Sequence, residues 1–342
     1  MRRYKARRKK QSMEDKAMFG RTTLRQLGAL LLGFALLASA AQAQDFPSRP
    51  IKVVVGFGPG GLGDLTARLV AQKMSDSMGK PVVIENMPGA GGITAAANVA
   101  RAAPDGYTML LVSGQNAASP SLFKSLPYDA NKDFAMVSTV GLFDFVVVTN
   151  AEGPYKTLQD AMAAARKDPQ HFNIGTISAG SVQNLAALLF TKMSGLAVPT
   201  VPFKTTGDVV VGLMSGQIQI GFETLPGVIA QIKSGKLRAL AVASKEPVPL
   251  LPGVPTVAAS GVPAFKLVSW NGFVVPAKTR KSVVERLSKE MAKAVAAPDV
   301  QAKLKSFGVT PHPSTPEQMQ AFYDEDFVRW KQVITDAKLG QH

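Results

Sequence analysis

The short-interval exchange of β-branched runs for helical runs, beginning at Ile51, constrains this chain more than any other feature. Residues 51–55 read as a strand that enters the turn Gly56-Phe57-Gly58-Pro59-Gly60-Gly61. A helix follows over 64–78 on the apolar spacing of Leu65, Leu69 and Val70. A strand over 81–85, a turn over 86–92, a small-residue helix over 93–102 and a strand over 107–112 complete a βαβαβ unit. That order implies a parallel sheet. Residues 113–134 read as a long irregular connection, followed by strands over 136–140 and 145–149. Thr157 and Asp160 form a variant capping box that starts the next helix.

A second α/β series follows. Strands are expected over 173–176, 200–202, 218–222 and 239–243, and helices over 181–194, 208–214 and 225–234. Past a proline-rich stretch come strands over 266–270 and 273–275, then helices over 281–296 and 299–306. The last helix opens at Thr315-Pro316-Glu317-Gln318. The fold class expected is α/β with two similar lobes, and the C-terminal helices are expected to return to the first lobe's sheet. The boundaries are 44–146 for the first part of lobe 1, 147–269 for lobe 2 and 270–342 for the return.

The formal charge of +15 raises nucleic acid as a partner, but residues 1–43 carry ten basic and two acidic residues. The remainder holds 29 basic and 22 acidic residues. Arg21 and Arg25 precede an apolar run over 27–38 and the small-x-small site Ala41-Gln42-Ala43, the form of a secretory signal cleaved after Ala43. The apolar run is too short for a membrane span of about 20 residues. With no cysteine in the chain, disulfides, thiolate metal sites, cysteine nucleophiles and a lipidated cysteine are all excluded. A soluble periplasmic protein without nucleic-acid partner, cofactor or metal is expected.

Two strand-to-helix loops carry the chemistry. Gly56, Gly58 and Gly61 match G-x-G-x-x-G, and Glu85 stands where a ribose-binding acid belongs. Pro59 stiffens that loop, however, and an exported protein meets little NAD. A small anion at the helix N-terminus is therefore expected rather than a dinucleotide. The second loop runs over 175–181, with Ser181 capping its helix. Each loop alone could be an ordinary turn; two in two lobes point to a ligand gripped between them. Asp64 reads as a first-turn helix acid, Glu223 as either a surface charge or a cleft residue, and Lys204 as a cleft cation or a solvated loop charge. Phe57, Phe203 and Trp270 read as core. His171, His312 and His342 lack metal-ligand or triad spacing, so catalysis finds little support.

Several segments in fixed order carry a family resemblance: Pro47-Ser48-Arg49-Pro50, Pro59-Gly60-Gly61 with Asp64, Asn86-Met87-Pro88-Gly89-Ala90-Gly91-Gly92, and Ala103-Pro104-Asp105-Gly106-Tyr107-Thr108. Leu126-Pro127-Tyr128-Asp129, Gly180-Ser181, the run from Gly235 to Ala241 and Trp270-Asn271-Gly272 continue it. In these the chain resembles the Bug family, the TctC-like extracytoplasmic solute receptors of tripartite tricarboxylate transporters. The resemblance implies a two-lobed, type II-like periplasmic binding protein with a hinge and an interlobe cleft. Such a protein would be a monomer that captures a small organic carboxylate for integral-membrane transporter subunits. It also implies a ligand site of Gly60, Gly61, Gly63 and Asp64 from lobe 1 and Ser178, Ala179, Gly180 and Ser181 from lobe 2. Backbone amides and small hydroxyls would hold the carboxylate there. Asn184, Lys204 and Glu223 join the site at its far end, where Asn184 replaces the family's histidine, Thr205 a glycine and Glu223 an aspartate. An exported enzyme acting on a similar acid, or a ligand-sensing subunit for a membrane signalling partner, is the alternative.

Overall fold

The computed structural model describes residues 46–178 and 181–336. The basic leader, its apolar run and the site at Ala43 lie outside the described residues, as do Ala179, Gly180 and the last six positions. The N-terminal unit, Met1–Ser48, is described only at its last three residues. Every element below belongs to the unit Arg49–His342.

Strand β1 (Ile51–Val55) pairs in parallel with both β2 (Val82–Asn86) and β3 (Thr108–Ser113). Helix α1 (Leu62–Met78) and helix α2 (Ile93–Ala100) make the crossovers. This is the expected βαβαβ unit. Strands β1 and β3 are nearly continuous in apolar residues because both faces are covered, and Ile51, Val53, Val54 and Val55 are fully buried.

Where an irregular connection was expected, helix α3 (Gly114–Leu122) forms. Ser113 caps it: the Ser113 amide donates to the Asn116 side chain at 2.9 Å, and the Gln115 amide leans toward Ser113 Oγ. Pro120 argues against a helix in the sequence because it has no N–H to donate to the Asn116 carbonyl. The Tyr323 hydroxyl donates to that carbonyl instead, at 3.2 Å, so the carbonyl left over by proline is satisfied from a distant element.

Strand β4 (Phe134–Asn150) is one strand where two were expected, and Gly141 is the reason. A Cβ there would lie 2.5 Å from Val309 Cγ1 and 2.7 Å from the Thr310 carbonyl. The glycine thus lets the short strand β10 (Val309–Pro311), not foreseen in the sequence, approach β4 without interrupting it. Gly272 acts alike within β9 (Val268–Pro276), again one strand rather than two. A Cβ on it would meet Met319 Cε at 2.7 Å and the Ser138 carbonyl at 2.8 Å.

The second series is α4 (Leu158–Lys167), β5 (Ile174–Ile177), α5 (Val182–Ser194), β6 (Thr200–Phe203), α6 (Thr206–Met214), β7 (Ile220–Thr224), α7 (Leu225–Lys233) and β8 (Leu237–Val242). The chain ends in α8 (Lys281–Ala296), α9 (Pro298–Ser306) and α10 (Pro316–Asp336). The Thr157–Asp160 capping box on α4 forms as expected.

The strand order is β2-β1-β3-β9-β4-β7-β5-β6, with β8 and β10 also on β4. Residues 134–144 of β4 pair with β9, whereas residues 145–150 pair with β7 and β8. One long strand therefore belongs to both halves of a curled, mixed sheet. The chain recrosses just before β9, where the Leu267 amide donates to the Ala243 carbonyl. Around Trp270 a fully buried cluster gathers Tyr323 and Trp330 from α10, and Trp270 Nε1 donates to Asp326 Oδ2 at 2.7 Å. In the other half Phe190, Phe222 and Phe265 pack with ring centroids 5.2–6.2 Å apart.

Candidate functional site

The two halves of the sheet enclose a cavity of about 380 Å³, within the range of small-molecule sites. One wall is the loop over 56–61, the first turn of α1, the turn at Pro88 to Gly91, and Ser113, Gln115 and Asn271. The facing wall is Ile177 and Ser178, the first turn of α5, residues 204–207 leading into α6, and Thr224. Every helix that contributes does so with its N-terminal end. This follows from the crossovers, which place the carboxyl ends of parallel strands and the starts of their helices on the same side.

Of these helix ends, that of α1 is open to an anion. Gly61 is its N-cap, in extended conformation, and no side chain caps the helix. The amides of Leu62 and Gly63 therefore have no intrahelical acceptor, and the helix dipole adds partial positive charge at the cavity wall. The Gly60 amide, expected to hold ligand, is instead engaged by Asp64 at 3.0 Å.

Asp64 itself is buried beneath the loop and absent from the cavity wall. Its carboxylate accepts from Arg68 Nε at 3.0 Å, from Asn86 Nδ2 at 2.9 Å and from the Gly60 amide. Burial pushes this carboxyl upward, but those hydrogen bonds and the Arg68 charge outweigh burial and hold it below its ordinary range. Asn86 also donates to the Phe57 carbonyl at 3.0 Å. Asp64 and Asn86 thus brace the loop at two points, and Phe57, expected in the core, lines the cavity.

On the facing wall Ser181 caps α5 as expected. Its Oγ accepts from the Asn184 amide at 3.1 Å and donates to the Ile177 carbonyl at 2.6 Å. Two amides of the loop are already spent, that of Ser178 on the Phe203 carbonyl at 2.8 Å and that of Ser181 on the Ser178 carbonyl at 3.0 Å. Ser178 is held at φ +25°, a left-handed conformation rare outside glycine, and its position on the cavity wall makes that strain notable. Ala179 and Gly180 lie outside the described residues.

Lys204 is exposed and lines the cavity. Asn184 does not: it is buried, with Nδ2 3.3 Å from Thr176 Oγ1. Glu223 is fully buried behind the wall, accepting from Thr206 Oγ1 at 3.0 Å and from the side chain of Gln183 and the backbone of Thr224. Burial pushes its carboxyl up to about 7 despite those bonds. Its partners Thr206, Gln183 and Thr224 face the cavity in its place.

Ser113, Gln115, Gln183, Thr206 and Thr224 also form the wall, and sequence reasoning did not select them as site residues; Thr205, noted from the sequence only as a departure at the far end of the site, lines it too. Ser113 and Thr224 end strands that feed helices, so the strand-end rule would have found them. Asn271 sits in mid-strand, and only its place in Trp270-Asn271-Gly272 pointed to it. His171 is an exposed partner of Asp168, at 2.9 Å, and neither it nor His312 lines the cavity. Among the described residues no group of His, Cys, Asp and Glu could hold a metal ion, and no helix is long and apolar enough to cross a membrane.

A curled mixed sheet sharing one long strand, with helix N-termini converging on a cavity between its halves, defines a two-lobed α/β solute-binding protein. Solved structures of that class superpose well. BugD, a periplasmic binding protein, aligns with TM-score 0.82 at 29% identity over 87% of this chain and all of its own. MatC from Rhodopseudomonas palustris, with bound malate, aligns with TM-score 0.80 at 30% identity over 84% and 100%. An R. palustris protein with adipate aligns with TM-score 0.83 at 28% identity over 87% and 100%. Protein BugT of Bordetella pertussis is 34% identical over 322 residues, 93% of this chain and 99% of that one. The family model described as tripartite tricarboxylate transporter family receptor, TctC, matches residues 66–339. The chain belongs to this family of periplasmic solute receptors.

Proposed function

We propose that this receptor captures a small organic carboxylate between lobes 44–146 with 270–342 and 147–269, and presents it to the integral-membrane subunits of a tripartite transporter. The observation that carries this reading is the uncapped N-terminus of α1 in the cavity wall, with Lys204 in the facing wall. The carboxylate sits on the Leu62 and Gly63 amides, with Gly61 giving access, and Ser178, Ser181 and Lys204 close over it. Asp64, Asn184 and Glu223 act from behind as positioning residues rather than as direct contacts. The malate and adipate held by relatives support the ligand class. The protein works by binding without turnover, as a periplasmic monomer that starts at Gln44 after the leader is removed.

A thermal-shift screen of mature protein against mono-, di- and tricarboxylates, amino acids and sugars tests this. Ligand at 100 times its Kd adds about 2.7 kcal/mol of stability. A shift with sugars alone would sink the proposal. Gly61→Leu should abolish the carboxylate shift while sparing the fold, because a Cβ at Gly61 meets nothing nearer than the Gly58 carbonyl at 3.6 Å. An unchanged affinity in that variant would move the anion seat elsewhere.

A further inference from the structure

The cavity wall contains polar side chains that the protein itself leaves unanswered. Asn271 and Gln115 are each only 2% exposed. No protein atom bonds Asn271 Oδ1, Gln115 Oε1 or Gln115 Nε2. Leaving buried groups without partners is costly, and native proteins rarely do so outside sites that something else fills. The two residues are neighbours in the cavity wall: Asn271 of β9 is the register partner of Ser113 in β3, and Gln115 follows two residues later in α3.

The chemistry Asn271 can offer is fixed by its neighbour. Thr66 Oγ1 donates its single proton to a carbonyl of its own helix, Leu62 at 2.9 Å or Gly63 at 3.2 Å. Toward Asn271, 2.6 Å away, Thr66 Oγ1 can therefore act only as acceptor, so the Asn271 amide must turn its Nδ2 to Thr66. What remains for the cavity is Oδ1, an acceptor. It cannot pair with a second carboxylate, which offers only acceptors; it needs a hydroxyl or an N–H. Gln115 can answer either kind of group, so it adds contact without changing this requirement.

We infer that Asn271, with Gln115, forms a donor-reading subsite beside the anion seat, and that the receptor selects carboxylates bearing a hydroxyl or ammonium group over their unsubstituted counterparts. This rests on the carboxylate reading above and narrows it. The selectivity arises because an unsubstituted acid leaves Asn271 Oδ1 buried and unpaired, whereas a hydroxy acid satisfies it.

Matched pairs test the subsite by calorimetric titration of the wild-type mature protein: malate against succinate, lactate against propionate, and aspartate against succinate. In at least one pair the donor-bearing acid should bind about tenfold tighter or more. Gln115→Met keeps length and volume, breaks no hydrogen bond of the protein, and should shrink that ratio severalfold. Asn271→Leu should bring it near one; if the lost Thr66 contact prevents folding, judged by circular dichroism, the wild-type pairs and Gln115→Met still decide. Equal affinities within every pair, or a preference for the unsubstituted acid, would overturn the subsite and leave the carboxylate reading standing. If no acid of either kind binds, the carboxylate reading itself fails and the subsite goes with it.

Discussion

Glu223 and Asp64 are both acids beneath the cavity wall, and their surroundings drive them in opposite directions. Asp64 has a guanidinium and two N–H donors, so its ionised form is favoured. Glu223 has only neutral donors and no exposure, so it keeps its proton up to about pH 7 in the folded state. In the unfolded chain it loses that proton near 4.5. Between these values the folded state binds more protons, so Glu223 makes stability fall as pH rises from about 4.5 to 7 and level off above that. The limit of this loss is about 3 kcal/mol at roughly 1.36 kcal/mol per unit. Glu223→Gln should flatten the slope and gain stability at pH 8, measured by urea midpoints across that window. An identical slope in the variant would mean that other groups set it. At Gly63 space decides instead: a Cβ would lie 2.8 Å from Leu111 Cδ2 and 3.1 Å from Phe57 Cδ2. Gly63→Ala should therefore cost about 1–3 kcal/mol by overpacking, read as a lowered melting temperature of the unliganded protein.

Helix α3 depends on α10 for the carbonyl that Pro120 leaves open. Tyr323→Phe removes the hydroxyl whose single proton is shared between the carbonyls of Asn116, at 3.2 Å, and Ala130, at 3.3 Å. It should cost about 1–3 kcal/mol through the carbonyl left unpaired, seen as a shifted denaturant midpoint with unchanged slope. This dependence also explains what the sequence could and could not tell. Elements whose stability is local were legible: β1 from its β-branched run, α4 from Thr157 and Asp160, and α5 from Ser181. Helix α3 and the unbroken β4 and β9 were not, because Pro120 is answered by Tyr323, and Gly141 and Gly272 are required by the close approach of Val309 and Met319, all distant in the chain. The site divides in the same way. The two glycine and serine loops could be read from their neighbours in sequence. The part played by Asn271 is set by Thr66, 205 residues away, and Asp64 proved to be a brace because Arg68, Asn86 and Gly60 surround it in space.

At the scale of the whole molecule, β4 and the strand return at Leu267 are where a closing motion on ligand capture would be absorbed, since the sheet's two halves share them. Ligand addition should reduce the radius of gyration in solution scattering, and Gly61→Leu should remove that response together with binding. The aromatic cluster around β9 has a practical corollary. Trp270 and Trp330 are the only tryptophans in the chain; both are sealed inside that one cluster, and neither lines the cavity, although they pack behind its wall at Gly114, between Ser113 and Gln115. Intrinsic emission should therefore follow the melting of that half, with no ring in direct contact with ligand. The molecule comes with a built-in optical gauge of its integrity. Because the chain has no cysteine, a pair of dyes placed on single introduced thiols across the cavity can read the occupancy separately.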